Sequence, residues 1–210
     1  MLNIKTKIKQ RLRWKAIELR YKFGFTKNFN VTNPGRRLLL YHGIDKFGRT
    51  DINSRFISET EFEKQLIWLK KNCHIVTMQD YFSGYQHLEK LTIAISFDDG
   101  YRNNFNLALP LLEKHEVPAT FFITTAPLDG MNILWPDLLD IAGFVLKKEL
   151  EFNEEQFVFR SGIGYISTRN GKYLKNYLRV ADVVSIKNFV VRYDYLLQEL
   201  KLINGIYILN

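Results

Sequence analysis

The sequence lacks the features that mark several specialised protein classes. It has a single cysteine, Cys73, which excludes an internal disulfide framework and allows a reducing compartment. No stretch approaches 18 consecutive apolar residues, so no segment has the pattern of a transmembrane helix. The first 23 residues contain no uninterrupted apolar core of seven or more, as a secretory signal peptide would. We therefore expect a cytoplasmic protein, or one held peripherally at the cytoplasmic face of a membrane.

Acidic residues are scarce at the start of the chain and common afterwards. Residues 1–37 hold eleven Lys or Arg and one acid, Glu18, whereas the other 173 residues carry a net charge of −2. The overall charge of +8 therefore says little about the ligand of the main body. We interpret residues 1–36 as a basic arm with a linker, and residues 37–210 as the folded domain.

Apolar residues of the arm recur near one face at helical spacing: Ile4, Ile8, Leu12, Leu19 and Phe23. A basic amphipathic helix of this kind can bind an anionic membrane surface through residues 1–23, or it can dock its apolar stripe on the domain. The residues favour these two alternatives about equally. A nucleic-acid partner is not expected, because no stacking platform or known recognition motif accompanies the charge.

Strand and helix patterns alternate in the first part of the domain. The apolar runs that predict strands are LLLYHG (38–43), HIVTM (74–78), LTIAISF (91–97) and VPATFFITT (117–125). The segments between them predict helices, two of which begin with a capping box, at Ser58 and at Thr77. In the third helix, Pro110 predicts a kink or a break. This alternation predicts an α/β fold with a parallel sheet or barrel.

Residues 126–210 follow a looser pattern. They predict a helix after Pro136, a short hairpin from FVFRSG and GYIST, and one or two further helices. No cluster of histidines, cysteines or paired acids in this segment can be assigned to chemistry. We interpret it as an insertion-like helical region.

The third strand ends in two adjacent carboxylates, Asp98 and Asp99, followed by Gly100. Ligands of parallel α/β folds gather at the carboxyl ends of strands. Neighbouring carboxylates repel each other, and a divalent cation would relieve that repulsion while one acid accepts a proton from water. The alternative is an acidic turn that caps the next helix. On these residues alone, the two interpretations are about equally supported.

The segments LLLYHGI and LTIAISFDDGYRNNFNLALPLLEKHEVPATFFITT, with their spacing, resemble the amino-terminal half of the polysaccharide deacetylase family. That family has a strand ending in [ST]-F-D-D-G, a helix with A-x-P-x-L and a P-A-T-F-F strand. The resemblance covers roughly residues 37–125. It implies a distorted barrel of about seven strands that removes acetyl groups from amino sugars or from acetylated polysaccharides.

The resemblance also implies roles for individual residues. Asp98 would be the catalytic general base, and Asp99 would be a ligand of a divalent metal, for which zinc is expected. His42, Gly100 and Tyr101 would contact the substrate or support the ligands from behind. For His42, a purely structural role is at least as well supported.

The second half of the family pattern is missing. Members complete their metal site with an H-[ST]-x-x-H motif, but no two of His42, His74, His87 and His115 are four apart, and none follows residue 115. We therefore expect a partial (β/α) barrel, truncated after about four strands, with a helical back third and an incomplete metal site. Such a sheet would aggregate, pair with a partner, or be covered by residues 126–210.

The function expected from this resemblance is metal-dependent hydrolysis of acetamide groups on a polysaccharide or amino sugar. Two alternatives remain open. One is a non-catalytic remnant that binds a carbohydrate or a partner, and the other is membrane-surface binding through the basic arm.

Overall fold

The computed structural model describes residues 34–48, 53, 55–145 and 149–196, together with Ala16. The predicted amphipathic arm and most of the linker lie outside the described residues, apart from Ala16, as does the carboxyl-terminal segment INGIYILN.

The described residues contain nine strands and six α-helices. The strands are β1 (Gly35–Tyr41), β2 (Ile44–Asp45), β3 (Ile57–Ser58), β4 (His74–Ile75), β5 (Leu91–Phe97), β6 (Thr120–Phe121), β7 (Leu150–Phe152), β8 (Glu155–Arg160) and β9 (Gly164–Ser167). The helices are α1 (Glu59–Asn72), α2 (Met78–Phe82), α3 (Leu109–Lys114), α4 (Trp135–Val145), α5 (Leu174–Leu178) and α6 (Val183–Tyr193).

The central element is β5, which is buried over all but its first residue. It pairs in parallel with β1 along its whole length, from Gly35 opposite Leu91 to Tyr41 opposite Phe97. Its other edge is shared by β4 near the start of β5 and by β6 near its end, again in parallel. This arrangement confirms the predicted parallel α/β sheet, with β5 as a strand covered on both faces.

The short strands β4 and β6 are the main departures from the predicted strand lengths. The predicted strand VPATFFITT pairs over Thr120–Phe121 only, and HIVTM over His74–Ile75 only. Both strands pair with the same edge of β5, β4 near its start and β6 near its end. Each strand can therefore lengthen only until it reaches the part of the edge that the other occupies. A closed barrel is not formed by the described residues, so the truncated barrel is not confirmed, whereas the mixed α/β class is.

Two helix starts have the predicted caps. The Ser58 hydroxyl accepts a hydrogen bond from the Glu61 amide at 3.1 Å, and the Thr77 hydroxyl accepts one from the Asp80 amide at 3.1 Å. The break predicted near Pro110 is also present, because the helix is π-helical over Asn104–Ala108 and α-helical from Leu109. Proline has no amide hydrogen, so the regular α-helical pattern cannot be completed there.

The prediction of a helical back third is wrong in part, because β7, β8 and β9 form a three-stranded antiparallel sheet there. The predicted hairpin is confirmed as β8 and β9, which pair from Phe157 opposite Ser167 to Arg160 opposite Gly164. The helix after Pro136 is α4, and the two further helices are α5 and α6. None of the helices that the structure describes is long and apolar enough to cross a membrane.

Two hydrophobic cores result from this architecture. The parallel-sheet core lies around β5 and is built from buried residues between Ile44 and Val117. The carboxyl-terminal core is built from residues between Ala126 and Leu196, and it also includes Phe56 and Tyr101. These two aromatic side chains therefore extend from the first part of the chain into the second core, with their ring centroids 5.0 Å apart.

Candidate active site

Asp98 and Asp99 lie at the carboxyl end of β5. The Asp98 amide donates a hydrogen bond to the Tyr41 carbonyl at 2.9 Å, so the backbone pairing with β1 continues one residue beyond the strand. The chain then turns sharply, with φ of 72° at Asp99 and 68° at Gly100. The turn therefore begins one residue before the glycine, in a backbone conformation that non-glycine residues rarely adopt.

Gly100 is required at its position for a steric reason as well. A Cβ atom there would lie 3.2 Å from the Ile123 Cα, next to the segment that follows β6. The turn therefore packs closely against the segment around Ile123, and this packing holds the two carboxylates at the sheet edge.

The charge of Asp99 is partly balanced by an arginine of the same chain. Arg55 Nη1 lies 3.8 Å from Asp99 Oδ2, and the two side chains are 31% and 27% exposed. At this exposure and distance the pair contributes little to stability. It does place a guanidinium beside the carboxylate for which a metal was predicted.

Arg55 also contacts Asp137, a carboxylate of α4 that has no exposed surface. Asp137 Oδ1 accepts hydrogen bonds from Arg55 Nη2 and from Asn53 Nδ2, the latter at 2.9 Å. Its Oδ2 accepts one from the Tyr101 hydroxyl at 2.5 Å. Asn53 in turn accepts from the Arg55 amide at 3.0 Å and from Arg55 Nε at 3.1 Å.

We call Asn53, Arg55, Tyr101 and Asp137 the Asp137 network. It joins the loop before β3, the turn after β5, and α4, which lie far apart in sequence. Because every carboxylate oxygen of Asp137 has a donor, the buried charge is compensated in the way that an interior ion requires.

Burial governs the ionisation of this network. It raises the pKa of Asp137 to about 6, although the Tyr101 hydrogen bond and the charge of Arg55 act in the opposite direction. Burial and the adjacent Asp137 carboxylate raise the pKa of the Tyr101 hydroxyl well above its ordinary value. Burial alone would lower the pKa of Arg55, but the combined attraction of Asp137 and the neighbouring Tyr101, Asp99 and Asp140 outweighs it and the pKa is raised. Tyr101 and Arg55 therefore remain donors at neutral pH.

Of the other predicted site residues, His42 lies at the sheet edge and Tyr101 is buried below it. His42 directly follows β1 and, by the register of β1 with β5, comes next to Asp98 at the same sheet edge. Its carbonyl accepts a hydrogen bond from Asn104 Nδ2 at 2.8 Å. Tyr101 is only 1% exposed and lies behind the edge, where it holds Asp137. This position fits the supporting role rather than direct contact with a substrate.

The remaining histidines lie away from this edge, as predicted. His74 is opposite Thr92, near the start of β5, and its ring centroid lies 4.8 Å from that of His87. His115 Nε2 lies 3.0 Å from Glu63 Oε1. These contacts leave the histidines other than His42 outside the site.

The residues present do not fit a complete metal centre. Within the described part of the chain, no group of three or more His, Cys, Asp or Glu side chains could hold an ion. A catalytic zinc site usually needs three protein ligands. Of those expected, only Asp99 is identified, and it faces Arg55.

Sequence reasoning missed Asn53, Arg55 and Asp137. Asp137 carried a usable signal, because an acid inside the apolar run LWPDLLDIA must find partners if the helix is buried. Arg55 and Asn53 had no such signal, since the polar segment around them reads as an ordinary surface loop.

Comparison with known proteins identifies the part of the chain that carries the carboxylate pair. Residues 86–142 match the family model for polysaccharide deacetylases. The poly-β-1,6-N-acetyl-D-glucosamine N-deacetylase of Staphylococcus aureus is 30% identical over 104 residues, which are 48% of this chain and 34% of that protein. The enzyme of the same name from Staphylococcus epidermidis is 27% identical over 88 residues, 40% of this chain and 30% of that protein.

Among solved structures, IcaB from Ammonifex degensii is 32% identical to this chain. The match covers 44% of this chain and 39% of IcaB, with a TM-score of 0.37. The chain spans about a third of the length of the staphylococcal relatives that it matches. The family match includes Asp98, Asp99 and Asp137, so this part of the chain is similar to the polysaccharide deacetylase family.

Proposed function

We propose that this chain carries part of the active site of a carbohydrate N-deacetylase, a hydrolase of non-peptide carbon–nitrogen bonds. The observation that carries the proposal is the pair Asp98 and Asp99 at the carboxyl end of the most buried strand, inside the segment that matches the family. The two staphylococcal relatives are named for poly-β-1,6-N-acetyl-D-glucosamine, so we propose an N-acetylated amino-sugar polymer as the substrate class.

In this reaction Asp98 is the general base. Its carboxylate takes a proton from the water that attacks the acetyl carbonyl carbon, the carbon–nitrogen bond breaks as that proton passes to the leaving nitrogen, and acetate and a free amine are formed. The position of Asp98 after β5 supports this role, because the edge is where ligands of parallel sheets bind. The Asp137 network helps to fix the turn that presents Asp98, through the hydroxyl of Tyr101.

Asp99 is the proposed ligand of a divalent metal, with zinc expected from the family resemblance. Because the described residues provide no complete ligand set, a working centre requires ligands beyond them. A metal titration of the chain checks this: we expect no micromolar zinc binding that depends on Asp99. Tight binding that disappears in Asp99→Ala would show that the ligand set is more complete than the described residues indicate.

The test of the proposed activity is acetate release from β-1,6-linked N-acetylglucosamine oligomers, with and without added zinc. Whatever release the unaltered chain shows should be abolished in Asp98→Asn and unchanged in Asp129→Asn, a conservative change of an exposed acid in the turn after β6. Release that persists in Asp98→Asn would refute the role of Asp98 as the base.

A second candidate function is non-catalytic binding of the same carbohydrate. The incomplete ligand set favours it. Binding of the oligomers without any acetate release, at every zinc concentration, would select this candidate over the enzyme.

Membrane-surface binding through residues 1–23 remains a separate prediction, since most of that segment is outside the described residues. Salt-dependent binding to anionic vesicles that is lost when residues 1–23 are deleted would support it. Binding that survives the deletion would contradict it.

A further inference from the structure

A cavity of about 500 Å³ lies in the carboxyl-terminal part of the chain, and its lining includes neither Asp98 and Asp99 nor any member of the Asp137 network. Three elements form it: one face of α4, the turn between β8 and β9, and the start of α5. Its size falls within the range of small-molecule sites in proteins. The family resemblance assigned no role to these residues.

Aromatic rings form much of the cavity wall. Phe159 and Tyr165 face each other across the β8–β9 pair, with ring centroids 5.4 Å apart. Phe144 and Tyr173 also line the cavity and are 39% and 38% exposed. Rings that are half open to solvent offer flat apolar surfaces on which the carbon–hydrogen face of a sugar ring can stack.

The Phe159 ring is held in place by α4. A Cβ atom at Gly143 would lie 2.9 Å from this ring, so the glycine lets the ring pack directly on the helix backbone. The wall on this side is therefore preformed, which lowers the entropic cost of binding.

The turn between β8 and β9 leaves the cavity open. Gly162 and Gly164 have φ of 72° and 97°, and a Cβ atom at either position would meet nothing within 4 Å. Both residues line the cavity, so their missing side chains widen its entrance.

The charged groups of the cavity are Asp140 and Lys175, one of each sign. Lys175 Nζ lies 5.1 Å from the centroid of the Tyr173 ring, which orients that ring through a cation–π contact. A nucleic acid would require an excess of cations, which this cavity does not have. The balance favours a neutral, polar ligand with hydrogen-bonding groups.

The cavity is close to the Asp137 network. Asp140 follows Asp137 by three residues on α4, which is an axial rise of about 4.5 Å. The charge of Arg55 acts on Asp140 as well as on Asp137. Arg55, which lies 3.8 Å from Asp99, also interacts electrostatically with Asp140, so the cavity lies near the carboxylate edge.

We propose that this cavity binds sugar rings of an N-acetylated amino-sugar polymer, beside the carboxylate edge that receives the reacting unit. The choice of ligand rests on the proposed function, whereas the existence of a neutral-sugar site rests on the rings and charges of the cavity. The structure thus contains a second contact region for a polymer that is longer than one sugar unit.

The test uses the full chain and a β-1,6-linked N-acetylglucosamine pentasaccharide, with maltopentaose as the sugar that has no acetamide groups. Calorimetric titration should show that Tyr173→Ala and Phe144→Ala each weaken pentasaccharide binding at least tenfold. Phe82→Ala, which removes a ring that is 71% exposed on α2, should leave it unchanged. Maltopentaose should bind at least tenfold more weakly than the pentasaccharide.

A second measurement guards against a folding defect in the variants. In the unaltered chain, the amide resonances of Gly162 and Gly164 should shift on addition of the pentasaccharide. Unchanged binding in both variants, shifts that avoid this turn, or equal binding of maltopentaose would each overturn the proposal.

Asp98→Asn separates this proposal from the proposed function. We expect that variant to bind the pentasaccharide at the cavity while releasing no acetate. If the unaltered chain releases no acetate but the cavity variants lose binding, the enzymatic role fails and the cavity proposal stands. If acetate is released and the cavity variants bind normally, the cavity proposal alone fails.

Discussion

The two hydrophobic cores of this chain are built in different ways. The parallel-sheet core brings together strands that are distant in sequence, so that Tyr41 lies opposite Phe97. The carboxyl-terminal core is built around a meander in which each strand pairs with the next along the chain. The family match runs from the approach to β5 into α4 and therefore includes parts of both.

The junction between the two cores differs from either of them, because it is polar. A buried carboxylate, Asp137, is joined there to an arginine, an asparagine and a tyrosine. Apolar packing is tolerant of small shifts, whereas a buried ion pair requires fixed partners. We therefore expect the Asp137 network to help fix the position of the two cores relative to each other.

The largest expected effect comes from removing the carboxylate of this network. Asp137→Ala should lower the free energy of unfolding by about 3–5 kcal/mol, because the charge of Arg55 loses its buried partner and the Tyr101 hydroxyl loses its acceptor. Urea denaturation at pH 7 measures it. Asp129→Ala, at an exposed acid, should change stability by less than about 0.5 kcal/mol. Equal effects of the two changes would show that the junction does not hold the cores together.

The pH dependence of stability should show the ionisation of Asp137 directly. The pKa of Asp137 is raised to about 6 in the folded chain, against about 3.9 in an unfolded chain. Between these values the folded state keeps a proton that the unfolded state has released, so stability falls as the pH rises from about 4 to about 6. The loss is about 3 kcal/mol from this group, at 1.36 kcal/mol per unit.

Asp137→Asn is the matched variant for that measurement, since it keeps the shape and removes the ionisation. Between pH 4 and pH 6, the unfolding free energy of this variant should not show the loss of about 3 kcal/mol that comes from Asp137. A difference between the two proteins that stays constant with pH would contradict the assignment to Asp137.

A loss of stability of intermediate size is expected at Gly43, where the Phe56 ring packs against the backbone. A Cβ atom at Gly43 would lie 2.4 Å from the Phe56 ring, so Gly43→Ala should cost about 1–3 kcal/mol by displacing a ring that belongs to the carboxyl-terminal core. Gly35→Ala is the control, because its Cβ would lie at an ordinary 3.6 Å from Leu91. Thermal denaturation of the pair measures the difference, and similar midpoints would show that Phe56 moves without cost.

The smallest effect should come from an element that belongs to the parallel-sheet part alone. Ser58→Ala removes the cap of α1 and should cost about 1 kcal/mol, whereas Ser58→Asp should restore most of it. Equilibrium denaturation checks both. A loss in Ser58→Ala that Ser58→Asp fails to restore would indicate that the hydroxyl has a role other than capping.

Local signals were sufficient to predict much of the fold. The alternation in LTIAISF, the caps at Ser58 and Thr77, and the β8–β9 hairpin are all encoded within a few neighbouring residues, and each is confirmed. The third strand of the antiparallel sheet, β7, was missed because three residues are too few to show a period. The strands β4 and β6 are short because they share one edge of β5. A pattern of neighbouring residues cannot predict this, because it depends on how distant segments pair.

Only those residues of the candidate site that directly follow a predicted strand could be predicted from the sequence. Asp98 and Asp99 could be placed because the end of a buried strand is a known location for ligands. The partners of Asp137 could not be found, since Asn53 lies 84 residues away from it in sequence and Arg55 lies 82 away. Such long-range pairs form only when the chain has folded, so they leave no local pattern in the sequence. The turn at Asp99 likewise depends on the segment around Ile123, which packs against Gly100.

The position of Phe56 and Tyr101 has a consequence for protein engineering. If the chain were cut after residue 125, these two rings would face solvent, and Arg55 would lose its buried carboxylate partner, Asp137. A shortened version intended for crystallisation or screening should therefore retain everything up to residue 196. The boundary suggested by family resemblance, near residue 125, would divide a unit that has to be expressed whole.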